Sequence, residues 1–280
     1  LNPENDTLVF STIGYRSKIV SVKDFLENST VLLEKNVISL KEVEVRSDDD
    51  YLYEWLVNCR KQIQKSNSYT SKAYFSLETE IQDKPVEMLE AYYNAEINKN
   101  SIDNFKFKNG RVGLSASDDN GFFLSLNTSK SINIFSITNS NVYFPYTPLQ
   151  FGKSALKKHY SLKLLPGDEK LIHLGFKSIK NSNHHFEGEI WINKDDNSIV
   201  KIILNCINAR KYPITPIWHE DSISNISIHI TQTFNNNKIN HINFNYDFKY
   251  HLNANFRFHQ LDSAGQKRIA IIPEKTHLVR

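Results

Sequence analysis

The residues best suited to metal chemistry are histidines that lie close to glutamates in the sequence. His184 and Glu187 have the His-x-x-Glu spacing found where a zinc hydrolase places both side chains on one metal. Residues 184–192 alternate as a strand does, however, and side chains three positions apart in a strand point to opposite faces. The two groups should therefore diverge, and the sequence predicts no metal site and no cofactor.

A second group of reactive side chains lies around the end of an irregular loop at residues 209–221. His219 and Glu220 begin the His-Glu-x-x-His pattern of zinc peptidases, but Ile223 stands where the second histidine is required. Ser222 and Ser224 are close to His219 in sequence, yet the Gly-x-Ser-x-Gly turn of serine hydrolases is missing. Walker and Rossmann glycine loops are missing as well. We therefore predict a protein that is not an enzyme, unless a buried set of titratable groups converges in the fold.

Aromatic side chains concentrate in two short stretches of the chain. One is the loop at residues 209–221, which contains two prolines, and the other is the run 142–146. Loops held by a rigid scaffold often carry function, so these stretches could form two rims of one ligand or partner site. Alternatively, their rings plug the open end of a curved sheet, and the sequence favours this packing role. The candidate ligand-binding residues are Tyr143, Tyr146, Arg210, Trp218 and His219.

The scaffold for these loops is predicted by the alternation of residues 225–252. Apolar and polar residues alternate from Ile226 to Phe234, and again from Ile242 to Leu252 after an Asn-rich turn. Strict period-two alternation predicts an antiparallel hairpin with one buried and one wet face. Such a hairpin needs further strands beside it to be stable. A large curved antiparallel sheet is therefore expected over residues 69–280.

The remaining strands of this sheet are predicted from shorter patterns. Further hairpins are expected at residues 160–178 and 186–204, and a helical turn at residues 154–159. Single short strands are expected at residues 73–80, 88–97, 122–126, 132–137 and 142–146. Because glycine is scarce, the turns should be built from Asn and Asp.

The first part of the chain predicts a smaller β unit joined to the sheet by a helix. Strands are expected at residues 7–15 and 17–22, with short apolar pieces at 30–33 and 43–45, too few to close a β-sandwich. One apolar helical stripe follows, formed by Leu52, Trp55, Leu56, Cys59 and Ile63. The predicted fold is mainly β, with residues 1–46 as part of an immunoglobulin- or transthyretin-like sandwich, 47–68 as linker and helix, and 69–280 as the antiparallel sheet.

The overall composition argues against two classes of protein. The 280 residues include 34 basic and 31 acidic ones and carry a net charge of +3, without the long basic block of a nucleic-acid-binding surface. No apolar run reaches the roughly 18 residues of a transmembrane helix. The two cysteines, Cys59 and Cys206, leave open whether they pair.

Two parts of the chain resemble known bacterial envelope proteins. Residues 6–15 (DTLVFSTIGY) and 37–45 (VISLKEVEV) resemble the second half of a carboxypeptidase-like regulatory domain, a non-catalytic β-sandwich. Residues 146–160 and 186–201 resemble the domain that follows this module in uncharacterised envelope proteins of Bacteroidetes. The sandwich's first strands are expected upstream of Leu1, and longer family members are expected to add a C-terminal membrane barrel. The resemblance implies export to the periplasm or outer membrane and no established catalytic activity.

Three functional hypotheses follow. The leading one is a non-enzymatic cell-envelope protein that binds or scaffolds an outer-membrane or envelope protein, at the periplasmic side or surface of the outer membrane. The second is a carrier that holds a lipid or another hydrophobic ligand in a cavity under its curved sheet. The third is the extramembrane part of an outer-membrane barrel protein, because alternating strands with Trp and Tyr also suit such barrels. A deep apolar cavity would favour the carrier, whereas a solid core of side chains would exclude it.

Overall fold

A computed structural model describes most of the chain, and its strands dominate as predicted. The described residues are 6–10, 12, 15–34, 49–115, 134–167, 169–180, 182–216, 219–252, 257–261, 267–271 and 275–279. The helices are α1 (Val22–Glu27), α2 (Asp50–Lys65) and α3 (Lys153–His159), with a 3-10 turn at Pro148–Gln150. The strands are β1 (Thr7–Phe10), β2 (Lys18–Ser21), β3 (Tyr69–Ile81), β4 (Lys84–Asn98), β5 (Ser101–Leu114), β6 (Tyr160–Leu165), β7 (Leu171–Ser178), β8 (Glu187–Asn193), β9 (Ile199–Cys206), β10 (Ser222–Asn235), β11 (Lys238–Leu252), β12 (Arg257–Leu261), β13 (Lys267–Ile271) and β14 (Lys275–Val279).

Ten strands form one antiparallel sheet in the order β5-β4-β3-β14-β11-β10-β9-β8-β7-β6. The predicted hairpins β6–β7, β8–β9 and β10–β11 are all present. In β10 the alternating residues Ile226, Ile228 and Ile230 are at most 2% exposed, which confirms the predicted dry face. Strands β12 and β13 pair separately as a two-stranded sheet.

The N-terminal hairpin is shorter than predicted. Strands β1 and β2 pair in antiparallel register, and β2 ends at Ser21 instead of Val22. The reason is a helix cap, because the Ser21 hydroxyl oxygen accepts the backbone N–H of Asp24 at 3.0 Å and starts α1. Residues 28–34 form no strand, and the apolar piece predicted at 43–45 lies outside the described residues.

Tight turns are made largely by asparagine, as the scarcity of glycine predicts. Asn236 and Asn237, between β10 and β11, have φ values of 47° and 60°. Lys99 and Asn100, between β4 and β5, repeat this pattern with φ values of 47° and 57°. Two successive positive φ values match the turn that follows the right-handed twist of a hairpin. Asparagine tolerates this conformation better than most residues with a Cβ.

Helix α2 packs its predicted apolar stripe on the sheet. Leu52, Leu56, Cys59 and Ile63 are at most 5% exposed and belong to the same core as the dry faces of β6–β11. Cys59 and Cys206 are free, buried thiols. Burial raises the pKa of both, and that of Cys206 to about 12, so neither is a reactive thiolate at neutral pH. Within the described ranges, no helix has the length and hydropathy needed to span a bilayer.

The segment between β5 and α3 departs from the prediction of short strands. Residues 122–126 lie outside the described part, and residues 134–137 and 142–145 form no strand. The side-chain oxygen of Asn141 accepts the backbone N–H groups of Tyr143 and Phe144, both at 2.9 Å. Such local side-chain bonds compete with strand pairing. The segment instead turns Phe144 into the core, where it is 3% exposed.

Strand β14 joins two parts of the large sheet. Val279 pairs with Phe248 of β11 on one side and with Ile81 of β3 on the other. In the described part of the chain this is the single registered pair between β14 and β3. The backbone N–H of Gln82 adds a hydrogen bond to the Leu278 carbonyl at 3.0 Å. Strands β3–β5 form a three-stranded meander, and among the described residues its backbone pairing with the rest of the sheet is confined to one end of β3.

Candidate functional site

Two of the five candidate residues lie close together, on either side of the segment that precedes β8. The backbone N–H of Arg210 donates to the carbonyl of Asn183 at 3.1 Å. Tyr146 forms a parallel bridge to His185, two residues further along. The first aromatic stretch and the proline-containing loop thus meet at residues 183–185.

The other three candidates are not drawn into this group by any described contact. Tyr143 is 45% exposed. His219 is exposed, and its Nδ1 pairs with Oε2 of the adjacent Glu220 at 2.8 Å. Trp218 lies outside the described residues. The hypothesis of one site with two rims is therefore left with Tyr146 and Arg210 as its centre.

Tyr146 is held through its backbone and covered by a cation. Its N–H donates to the His184 carbonyl and its carbonyl accepts the Phe186 N–H, both at 2.8 Å. The same carbonyl accepts the Tyr160 hydroxyl at 2.5 Å. The ammonium of Lys211 lies 3.7 Å from the centre of the Tyr146 ring, a cation–π contact. Tyr146 thus fastens the segment before α3 to the start of β8.

His185 lies inside a stack of rings at this junction. Its imidazole is 5.1 Å from that of His159 and 6.1 Å from the ring of Phe151, both nearly parallel to it. Its Nδ1 lies 2.7 Å from the Ser182 hydroxyl, whereas its buried Nε2 has no partner among the described residues. Burial, with smaller contributions from His159, His184 and Lys211, lowers the pKa of His185 to about 4. The ring is therefore neutral at neutral pH.

Stability should depend on pH through His185. The unfolded chain binds this proton near pH 6.5 and the folded chain only near pH 4, so this contribution is present above pH 6.5 and is lost as the pH falls towards 4. Between about pH 7 and about pH 4 we expect the free energy of unfolding to fall by about 2 kcal/mol, after allowance for partial solvent access, with about 1 kcal/mol of this lost by about pH 5. In urea unfolding at about pH 7 and about pH 5, the variant His185→Phe should lose less stability than wild type. The control His219→Gln should behave as wild type, and equal losses in all three would contradict the assignment.

An open groove of about 400 Å³ lies on the other side of Arg210. Its lining residues are Asn208, Ala209, Arg210, Tyr212, Ile223, Ser224, Asn225 and Ile226. The groove offers one guanidinium beside amide and hydroxyl groups. This chemistry suits an acidic or amide-rich ligand, and Arg210 shares the groove with residues of β10.

The histidine that lies beside Ser224 in the structure is His251, whereas the one near it in the sequence is His219. The Ser224 hydroxyl lies 2.7 Å from Nε2 of His251, whose Nδ1 lies 3.0 Å from the Thr276 hydroxyl. Lys249 stands directly opposite Ser224 on β11. A catalytic imidazole needs an anionic partner to stabilise its protonated form, and here the third member is a hydroxyl with a lysine nearby. The arrangement suits a polar face better than an acyl-transfer site.

Metal ligands do not converge in the described part of the chain. No group of three or more His, Cys, Asp or Glu side chains there is placed to share one ion. His184 lies in the turn before β8 rather than in the strand, so β8 is shorter at its start than predicted.

A larger surface without a sequence-based prediction is the dry side of the β3–β5 meander, here called the meander face. Strand register places large apolar residues on it, among them Phe75, Leu77, Leu89, Tyr93, Phe105, Phe107, Val112 and Leu114. The ring of Tyr93 lies 5.0 Å from that of Phe105 and 5.7 Å from that of Phe107. Phe107, Val112 and Leu114 are nonetheless 62%, 59% and 54% exposed.

The opposite side of the same strands is polar by its contacts. Lys106 pairs with Glu96 at 2.6 Å, and Arg111 pairs with Glu90. The Tyr74 hydroxyl donates to Glu90 at 2.7 Å. This side thus carries ion pairs beside the exposed side chains of Tyr74, Met88 and Tyr92, whereas the outer part of the meander face is apolar and open among the described residues.

Sequence reasoning missed the meander face because it did not identify β5. A usable signal was present, since Phe105 and Phe107 alternate with Lys106 and Lys108 after the turn at Asn100. The ring stack around His185 had no such signal, because it joins residues from three separate segments.

Comparison with known proteins provides no relative for this chain. No family model matches it, and neither the curated proteins nor the solved structures contain a match.

Proposed function

We propose that this chain is a non-enzymatic binding or scaffolding protein of the cell envelope, acting at the periplasmic side or surface of the outer membrane. The compartment is inferred from the resemblance of residues 6–45 to a carboxypeptidase-like regulatory domain. The binding role rests on one observation, the half-covered meander face. Its partner is an outer-membrane or envelope protein that covers this apolar surface.

The energetics of the meander face support a binding role. Each of Phe107, Val112 and Leu114 is more than half exposed, and burying such a side chain contributes about 1 kcal/mol or more. Contiguous exposed apolar surface is characteristic of interaction sites. The ion pairs on the other side of the same strands make that side less suited to an apolar contact.

A hydrophobic-ligand carrier is the second candidate, because the same apolar face would also suit a lipid. The carrier hypothesis requires space under the curved sheet. In the described residues that space is occupied by α2 and by Phe135, Ile137 and Leu149, all at most 5% exposed. This packing supports contact with a protein on the open face over enclosure of a lipid.

The proposal is tested by replacing Phe107 with the photo-crosslinking residue p-benzoylphenylalanine, in cells of the organism that encodes the chain. Tyr92, 57% exposed on the opposite side, provides the matched control position. We expect the chain in the envelope fraction and a discrete protein adduct from position 107 only. Lipid-sized adducts would favour the carrier. Equal adducts from both positions, or a chain found in the cytoplasm, would contradict the proposal.

The variant Phe107→Asp should separate binding from folding. A carboxylate on the meander face must lose its hydration when a partner covers it, so partner binding should weaken at least about tenfold. Unfolding free energy should change by less than about 1 kcal/mol, because the side chain is largely exposed. Tyr92→Ser should bind the partner as wild type does in the same quantitative pull-down. Equal binding of the partner by Phe107→Asp and Tyr92→Ser would rule out the meander face as the contact.

A further inference from the structure

The groove beside Arg210 opens where the β9–β10 pair is distorted on both sides. Asn208, just after β9, and Asn225, within β10, have φ values of 52° and 55°. The register between β10 and β11 shifts at the same place, while the Ala209 N–H still donates to the Ile226 carbonyl at 2.7 Å. Such bulges re-aim side chains and are frequent next to functional sites. They place both asparagines on a groove of about 400 Å³, a volume within the range of small-molecule sites.

Arg210 gives this groove a positive charge on a fixed backbone. Its N–H donates to the Asn183 carbonyl at 3.1 Å, and its side chain is exposed. Among the described residues no carboxylate pairs with the guanidinium. Two carboxylates of the nearby chain have other contacts, because Glu220 pairs with the adjacent histidine and Asp221 accepts the Tyr250 hydroxyl at 2.6 Å. The fork of N–H donors is therefore available to an anionic ligand.

The rest of the lining combines amide groups with an apolar wall. Asn208 and Asn225 are exposed, and each carboxamide can both donate and accept hydrogen bonds. Tyr212 and Ile223 are half-buried and pack on the main core, so the parts that reach the groove are held in place. A sugar ring has the same division, with C–H groups on its face and hydroxyl or acetamido groups at its rim.

We propose that this groove binds a saccharide that carries carboxylate and acetamido groups. Arg210 holds the carboxylate through two parallel N–H···O bonds, the two asparagines bond the acetamido group, and Tyr212 covers the C–H face of the ring. A peptide strand is less well matched, because the N–H groups of Ala209 and Arg210 already donate within the protein and leave no strand edge here. This site involves other strands than the meander face and goes beyond the proposed partner binding.

Titration calorimetry of the 280-residue chain tests this with a hyaluronan tetrasaccharide, which alternates glucuronate and N-acetylglucosamine. Chitotetraose, which keeps the acetamido groups without a carboxylate, should bind at least about tenfold more weakly. Amide hydrogen exchange should slow at residues 207–212 and 222–227 when the acidic tetrasaccharide is bound.

Variants at two successive positions separate the fork from the charge. Arg210→Gln should weaken binding of the acidic tetrasaccharide at least about tenfold and change that of chitotetraose less than about twofold. Arg210→Lys keeps the charge without the fork, so its affinity should lie between those of Arg210→Gln and wild type. The control Lys211→Gln should stay within about twofold of wild type, because this ammonium lies on the Tyr146 ring, 3.7 Å from its centre.

Three results would overturn the inference. One is no binding of the acidic tetrasaccharide at about 10 mM, or equal binding by Arg210→Gln and wild type. Another is tighter binding of the peptide acetyl-AAAA, whose free terminal carboxylate would make the groove a peptide site. The third is slowed exchange on β3–β5 in place of the groove. Phe107→Asp should bind the tetrasaccharide as wild type does, so failure of this site leaves the proposed partner binding intact.

Discussion

Replacing Gly188 with alanine should destabilise the protein by at least about 4 kcal/mol, or prevent folding. Gly188 lies in β8 directly opposite Phe176 of β7. A Cβ at this position would overlap the carbonyl oxygen of Ile203 in β9 and lie 3.3 Å from the Phe176 ring. The overlapping atom belongs to the backbone, so relief requires separating β8 from β9. The φ of 157° adds strain for any residue with a side chain.

The control for this variant is a glycine without such neighbours. A Cβ at Gly113 in β5 would meet nothing within 4 Å. Gly113→Ala should change the free energy of unfolding by less than about 0.5 kcal/mol, or stabilise slightly by restricting the unfolded chain. Urea unfolding followed by circular dichroism measures both. A Gly188→Ala protein within about 1 kcal/mol of wild type would show that β8 and β9 are not packed as described.

Phe144→Ala should cost about 3–4 kcal/mol, the second large effect. Its ring meets those of Phe135 and Phe244 with centroid distances of 5.2 and 6.3 Å. Removing it leaves a cavity where the segment before α3 meets β11. The adjacent Tyr143→Ala should cost less than about 1 kcal/mol, because Tyr143 is 45% exposed.

This pair of variants also separates the two interpretations of the aromatic run at residues 142–146. Phe144 has the packing role, as a plug in the core, whereas Tyr143 is free to contact a ligand. Thermal or urea unfolding measures the loss of stability in each of the two variants. If Tyr143→Ala were the more damaging change, the assignment of plug and surface residue would have to be exchanged.

The architecture followed from sequence where side chains alternate strictly. The β10–β11 hairpin and the α2 stripe were predicted because burial imposes a period of two on a strand and about 3.6 on a helix. Both patterns are local, so each could be identified without knowing what covers the dry side. The Asn-based turns were predictable for the same reason, since φ is a property of one residue.

Features that join distant segments could not be predicted in this way. The stack of His185 on His159 depends on how the start of β8 meets the end of α3, and no spacing encodes that meeting. The prediction of a strand at residues 142–146 failed because the Asn141 side chain accepts two backbone N–H groups that a strand would need. Of the candidate residues, Tyr146 and Arg210 contact the same segment before β8, and the meander face was not predicted.

The one registered pair between β3 and β14 in the described residues also bears on the order of folding. The other neighbouring strands of the ten-stranded sheet are much closer to each other in sequence, whereas Ile81 and Val279 are separated by most of the chain. Local hairpins close small loops quickly, but this contact must wait for a very long loop to close. The meander and the seven-stranded part should therefore form as separate cooperative units, and their seam should be the last contact made and the first to open.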